Sequence, residues 1–267
     1  MRPPPPECGW VPLGRLLYVS DRAPLPPAER PGHPPLPDWL EPIRRGAVGV
    51  TADELTRFVH PEGSDTRRGA VLMLFGDGPS GPDLLLTERA HDMRSHPGQV
   101  SFPGGSVDKA DGSPQATALR EAEEETGLDP TGVEVFATLP ELWLPPSNFA
   151  VTPVLAWWRQ ECPVSVVDPR EVHAVYRVPI EELLDPRHRI SVRHPSGWKG
   201  PAFLIGDDKD LILWGFTAGI IARLFDFVGW TRPWDSNERR DLPGHMLTIP
   251  GEAPPDPPKP NTNFPEE

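Results

Sequence analysis

The stretch Phe102–Leu128, FPGGSVDKADGSPQATALREAEEETGL, constrains the fold more than any other part of this 267-residue chain. Its second half reads as a helix with both ends marked. Ser113 is a good N-cap, and Pro114 stands at the first helical position, where a missing N–H costs nothing. Gly127 sits where a left-handed residue closes a helix, and Pro130 blocks continuation. About three turns fit between these ends. Glu121, Glu124 and Glu125 are spaced i, i+3, i+4 and share one face. Ala118, Leu119 and Ala122 fall on the adjoining side, suited to burial against a sheet, while Glu123 points to water. Like charges on one helix face repel by roughly a few tenths of a kcal/mol per pair. A divalent cation reverses that sign, and Mg²⁺ takes oxygen ligands beside substrate phosphates. A solvated acidic face is the ordinary meaning of such a charge run. The Phe-Pro-Gly-Gly turn, Arg120 beside the first glutamate and the closing glycine favour a site instead.

The pattern resembles the Nudix box, a glycine followed at a distance by R-E-x-x-E-E-x-G and an apolar residue. Here these are Gly105, Arg120, Glu121, Glu124, Glu125, Gly127 and Leu128. Two departures stand out: Asp111 replaces the usual glutamate, and the gap from it to Arg120 is one residue longer. Upstream, Leu84–Gly105 (LLLTERAHDMRSHPGQVSFPGG) resembles the signature of the coenzyme A pyrophosphatase subgroup. Leu85, Leu86, Thr87, Arg89, Arg94, Gly98, Phe102, Pro103, Gly104 and Gly105 carry that likeness. The subgroup's GG-x-x-D-x-x-D form of the box also accommodates Asp108 and Asp111. A weaker likeness continues through Val151–Val154 and Trp214–Ile220.

The resemblance implies an α/β protein, a Nudix α/β/α sandwich with a mixed β-sheet and a strand-loop-helix box. It implies Mg²⁺ or Mn²⁺ as cofactor, with Glu121 and Glu125 as ligands and Glu124 as a third ligand or an aid to water activation. A carbonyl at Gly104 or Gly105 completes the metal shell; glycine there admits positive φ and close backbone approach. Arg120 holds a carboxylate, Glu121 or Asp111, or contacts phosphate. Glu171, in a loop before a late strand, is the candidate general base, against the alternative of a solvated loop glutamate. Arg89, Arg94 and His96 are the candidate substrate-binding residues. For each arginine the rival is a surface ion pair, and for His96 a purely structural role.

The implied reaction is hydrolysis of a phosphoanhydride by positioning, charge neutralisation and an oriented water. Coenzyme A or a derivative is the leading substrate, giving 4′-phosphopantetheine and adenosine 3′,5′-bisphosphate. NADH, ADP-ribose or a nucleoside triphosphate is the alternative, and a catalytically silent Nudix-fold ligand-binding protein is the second. The expected partner is a small nucleoside-diphosphate-linked molecule, with neither nucleic acid nor membrane; a homodimer is admitted.

Composition agrees with these exclusions. A net charge of −13 and a pI of about 5.1 oppose sequence-independent nucleic-acid binding, which runs on Lys and Arg. Two distant cysteines, Cys8 and Cys162, are too few for a disulfide framework and read as inert thiols. The start MRPPPPECGW has no apolar signal core, and Leu211–Trp230, with Arg223 and Asp226, reads as an amphipathic helix. A soluble cytoplasmic protein is the expectation. The 39 prolines cluster at both ends. They suggest a proline-rich extension at 1–37, a Nudix hydrolase domain at 38–232 and an acidic tail at 233–267. The apolar island Leu13–Ser20 is read as docking on the domain. Within the domain, a helix is expected at 52–59 and strands at 70–75 and 83–88, joined as a hairpin. Further strands are expected at 99–102, 132–139, 149–158, 172–178 and 202–205, with helices at 180–184 and 213–228.

Overall fold

The computed structural model describes residues 35–56, 58, 66–93, 96–145, 148–195 and 197–247. Arg94, Cys8 and the Leu13–Ser20 island lie outside these residues, as do most of the 1–37 extension and the end of the tail.

The described chain enters through a 3-10 turn at Asp38–Leu40, then α1 (Glu41–Gly49) and the single turn α2 (Ala52–Leu55). α1 is an element that sequence reasoning missed, and it accommodates both Pro42 and Gly46. Pro42 sits in the first turn, where proline is tolerated. Gly46 is a packing point: a Cβ there would stand 2.6 Å from Val228 Cγ1. α2 is shorter than expected because Thr56 is extended (φ −146°, ψ 151°).

β1 (Arg67–Gly78) and β2 (Gly81–Arg89) form the anticipated hairpin, paired from Phe75↔Leu84 to Gly78↔Gly81. Beyond those pairs the strands splay. β3 (Val100–Ser101) pairs with β2 in the fork, and β4 (Gly104–Ser106) pairs with β1. The glycine pair, expected as a turn, is therefore a short strand wedged into an open hairpin. α3 (Pro114–Thr126) follows, then β5 (Val133–Thr138), β6 (Leu142–Leu144) and β7 (Phe149–Trp158). β7 runs parallel to β1 and antiparallel to β5 and β6. β8 (Val172–Pro179) pairs antiparallel with β2 and completes a mixed eight-stranded sheet.

α4 (Ile180–Leu184) leads into a second sheet, of which the sequence reading anticipated only the strand at 202–205. It contains β9 (Arg189–Arg193), β10 (Lys199–Ile205) and β11 (Leu211–Leu213), followed by α5 (Gly215–Phe227) and β12 (Arg239–Asp241). The strand order is β11-β10-β9-β12, with β12 parallel to β9. The expected helix from 213 begins only at Gly215, because Trp214 is extended and Gly215 left-handed at φ 72°. Leu242 and Met246 are buried against Ile190, Val192 and Leu204. Packing thus passes the expected boundary at 232 and continues to Leu247.

Both faces of the first sheet are covered, which is why β1 reads as an unbroken apolar run. Ala70, Leu72 and Leu74 pack with Ala118 and Ala122 of α3. Met73 and Phe75 face the larger core shared with α1, α5 and the second sheet. Among the described residues no helix is long and apolar enough to cross a membrane.

Candidate active site

α3 has the ends that its sequence demands. Ser113 Oγ accepts from the Ala116 N–H at 3.2 Å, and Gly127 is left-handed at φ 70°. Ala118 and Ala122 are fully buried, which fixes the rotation of the helix about its axis. Glu121 and Glu125 then turn toward β4, while Glu123 and Glu124 stay exposed.

The glycines explain how β4 passes beneath these carboxylates. The Gly104 N–H donates to Glu125 Oε2 at 3.2 Å. A Cβ on Gly104 would meet Ala70 O at 2.4 Å, at a φ of 155° that disfavours any other residue. A Cβ on Gly105 would lie 2.4 Å from the Glu121 carboxylate carbon. No side chain fits at either position, Gly104 lying against β1 and Gly105 against the Glu121 carboxylate of the helix.

Arg120 is the hub of the loop that precedes the helix. Its Nε and Nη2 donate to Asp111 Oδ1 and Oδ2 at 3.1 and 2.9 Å. Nη1 donates to Glu124 Oε2 at 2.9 Å, and Nη2 also reaches Ser106 O and Glu121 Oε1, each at 3.1 Å. Thr117 Oγ1 adds a bond to Asp111 Oδ2 at 2.9 Å. Hydrogen bonding to Arg120 holds the Asp111 pKa well below the usual carboxylate range. Sequence reasoning named Asp111 as a box residue and a partner for Arg120, and missed Thr117 and the Ser106 carbonyl. Thr117 follows the N-cap Ser113 by four residues, one turn along, and that spacing is the signal that could have found it.

Burial pushes the Glu125 pKa up to about 8, opposed by the Gly104 N–H and the charge of Arg89, and aided by Glu121 and Glu171. Glu121 is raised too, by burial first, against Arg120 and with Glu124 and Glu171 repelling it. Glu171 therefore acts electrostatically on both helical glutamates, though it is itself exposed. The Ala90 N–H donates to the Glu171 carbonyl at 2.9 Å, tying the entrance of β8 to the exit of β2.

Arg89 stands close enough to Glu125 and His96 to shift both, and its Nε is buried without a hydrogen-bond partner. His96 is left-handed at φ 56°, with Nδ1 3.0 Å from Gln99 Oε1. The residue is exposed overall, yet protein atoms crowd its ring. That desolvation and the charge of Arg89 lower its pKa below the ordinary value, keeping it neutral at neutral pH.

The structure thus gathers Glu121, Glu125, Glu171, Arg89, Arg120 and the Gly104–Gly105 backbone. Glu124 stands to the solvent side, held by Arg120, and Arg94 is not among the described residues. An all-oxygen donor set in which two carboxylates are driven toward protonation by burial and mutual repulsion suits a hard divalent cation.

The family model described as the NUDIX domain matches residues 65–197. The chain is 37% identical over 191 residues to the uncharacterized Nudix hydrolase NudL of Escherichia coli O7:K1, covering 66% of this chain and 94% of that protein. The chain belongs to the Nudix family. It is also 37% identical over 181 residues to Nudix hydrolase 15, mitochondrial, of Arabidopsis thaliana, covering 65% of this chain and 62% of that one. The chain therefore spans less than two thirds of the plant relative and nearly all of the bacterial one. A solved MutT/nudix family protein from Enterococcus faecalis aligns over 71% of this chain and 73% of its own. At 18% identity and a TM-score of 0.42, it is too distant to bear on the site. The Nudix match contains both the box and Glu171.

Proposed function

We propose that this Nudix protein hydrolyses the pyrophosphate bond of coenzyme A or a derivative, with Mg²⁺ or Mn²⁺ held by Glu121 and Glu125. The observation that carries the substrate is Arg89. Its guanidinium lies in the field of Glu125 with a buried Nε that no protein group satisfies. A buried unsatisfied donor costs about 1–3 kcal/mol, a cost that a phosphate oxygen removes. The residue belongs to the Leu84–Gly105 segment that resembles the coenzyme A subgroup. Coenzyme A carries a 3′-phosphate besides its pyrophosphate, so it needs cationic donors beyond the metal.

In the proposed reaction a water oxygen bonds to one phosphorus and the bond from that phosphorus to the bridging oxygen breaks. The bridging oxygen leaves with the other phosphate, giving 4′-phosphopantetheine and adenosine 3′,5′-bisphosphate. Glu171 takes the water proton; the support for it is an exposed carboxylate whose charge acts on Glu121 and Glu125. A bound divalent cation supplies charge neutralisation and lowers the pKa of the attacking water. Glu121 and Glu125 hold that charge in place, and the Gly104 N–H orients Glu125. Arg120 fixes the Asp111 loop and steadies Glu124. Arg89 grips phosphate through its planar fork, which lysine cannot reproduce. Neutral His96 offers a hydrogen bond without adding charge.

The test is incubation of purified protein and Mg²⁺ with coenzyme A, its form lacking the 3′-phosphate, NADH, ADP-ribose and nucleoside triphosphates, with products read by mass. The masses of 4′-phosphopantetheine and adenosine 3′,5′-bisphosphate are expected, and Arg89→Ala should raise KM. Faster cleavage of NADH or ADP-ribose would overturn the substrate and leave the chemistry. No cleavage of any compound by metal-loaded protein would leave a ligand-binding Nudix fold.

A further inference from the structure

Glu88, His91 and His173 offer ligand atoms that all lie within 4.8 Å of one another, the one such group of three among the described residues. The three come together for reasons visible in the backbone. Successive strand residues face opposite sides. On β2, Leu84 and Leu86 belong to the core shared with α1 and α5, and Leu85 to the core beneath α3. Arg89 accordingly acts on Glu125, while Glu88 turns the other way, to His91 and Tyr176. His91 lies in the turn that leaves β2. On β8, Glu88 pairs with Ala174 and Arg89 with Val172, which leaves His173 as the extra residue of a β-bulge. A bulge bends its strand and re-aims a side chain. Here it brings the His173 ring edge-on to His91, with centroids 4.6 Å apart at 82°.

The carboxylate is already oriented. Glu88 is buried, and its Oε2 accepts from the Tyr176 O–H at 2.6 Å. Oε1 faces His91 Nε2 at 2.9 Å. A carboxylate with one oxygen pinned by an outer hydrogen bond and the other turned to imidazoles is a common arrangement around metals.

We infer that Glu88, His91 and His173 form a site for a borderline divalent transition ion of the Zn²⁺ class, separate from the all-oxygen site on α3. Imidazole suits such ions, whereas Mg²⁺ prefers oxygen. Ligand bonds of about 2.0–2.2 Å at ordinary angles set neighbouring donors roughly 3 Å apart. The Glu88–His91 pair already has that spacing, and His173, which is exposed, closes the remainder by side-chain rotation. A plain Glu–His hydrogen bond accounts for His91. It does not account for a bulge that delivers a second imidazole to the same carboxylate.

The ion would join two segments that carry candidate substrate groups. His91 stands two residues after Arg89, and His173 two residues after Glu171. The inference does not depend on the substrate proposed above.

Co²⁺ is a visible probe of such a centre. Wild-type protein in excess Mg²⁺ should bind one equivalent of Co²⁺, with d–d absorption characteristic of nitrogen ligation. His91→Ala and His173→Ala should each lose that band and weaken binding by at least about 100-fold, and Tyr176→Phe by about 10-fold or more. Glu121→Gln, which alters the other site, should leave band and stoichiometry intact. Binding that survives either histidine substitution, or that disappears in Glu121→Gln, would overturn the inference. So would a wild-type protein that takes up no Co²⁺.

Discussion

The Gly104 N–H donates to Glu125 Oε2 at 3.2 Å, joining two residues 21 positions apart. This contact closes the strand-loop-helix unit onto itself. It buries a carboxylate that the sequence places on a helix, and it does so through a backbone group that only glycine can bring so close to β1. The site is therefore as much a property of β4 as of α3.

Glutamine at either helical position keeps the shape of the side chain and removes its charge. Glu121→Gln and Glu125→Gln should each lower kcat by at least roughly 10²–10³-fold, the scale of losing one preorganised electrostatic partner. Far-UV circular dichroism should be unchanged. Glu123→Gln, on the exposed face, should retain wild-type turnover. Full activity in either site variant with metal bound would remove that residue from the site.

Metal-free protein should lose stability as pH rises. The folded-state pKa of Glu125, about 8, lies above the ordinary glutamate value of 4.5. The folded state thus binds more protons across that window, so stability is fully present below about pH 4.5 and lost as pH climbs through 8. The loss is on the order of a few kcal/mol, or roughly 2–4 °C in Tm per kcal/mol. Added Mg²⁺ should restore Tm most strongly at the alkaline end, since binding releases the proton. Glu125→Gln should flatten the metal-free profile; an unchanged profile in that variant would assign the dependence elsewhere.

The parts of the fold that were legible are those whose signals are local. Ser113, Pro114 and Gly127 announce α3 because capping is decided within a few residues. The β1–β2 hairpin declares itself through its glycine- and proline-rich turn. Of the second sheet only β10 was legible, as the strand expected at 202–205. β9 (RISVR) and β12 (RRD) are short and charged, and their parallel pairing is set by distant packing. β11 was absorbed into a helix because Leu211–Leu213 runs without a charge into the apolar start of α5, and a continuous apolar run does not separate strand from helix. The helical glutamates were readable from spacing. The field of Glu171 upon them was not, because β8 is brought to β2 only by the sheet.

Arg120 should tolerate no conservative replacement. Its fork makes two bonds to Asp111 and a third to Glu124, and a lysine ammonium cannot span them. The Asp111 side chain is buried beneath the guanidinium while Glu124 is exposed, so Arg120→Lys, which keeps the charge and loses the fork, should lower Tm. It should lower kcat/KM by roughly 10²-fold, because a displacement near 1 Å is enough for such a loss. Undiminished kcat/KM would show that the Asp111 loop does not position the site.

Two truncations separate packed chain from composition. Residues after 250 are GEAPPDPPKPNTNFPEE, whose sequence lacks the apolar content to offset ordering entropy. A chain ending at Pro250 should keep the wild-type Tm and activity. A chain ending at Arg232 removes β12 together with Leu242 and Met246, and exposes Ile190, Val192 and Ile212 beneath them. Burial of a large aliphatic side chain contributes about 1.5–3 kcal/mol. The two side chains alone therefore predict a loss of several kcal/mol, or on the order of 10 °C in Tm. Thermal unfolding of both chains beside the full-length protein measures the difference. Equal stability of the two would mean that the second sheet does not depend on β12, and an equal fall would mean that residues 251–267 also pack on the domain.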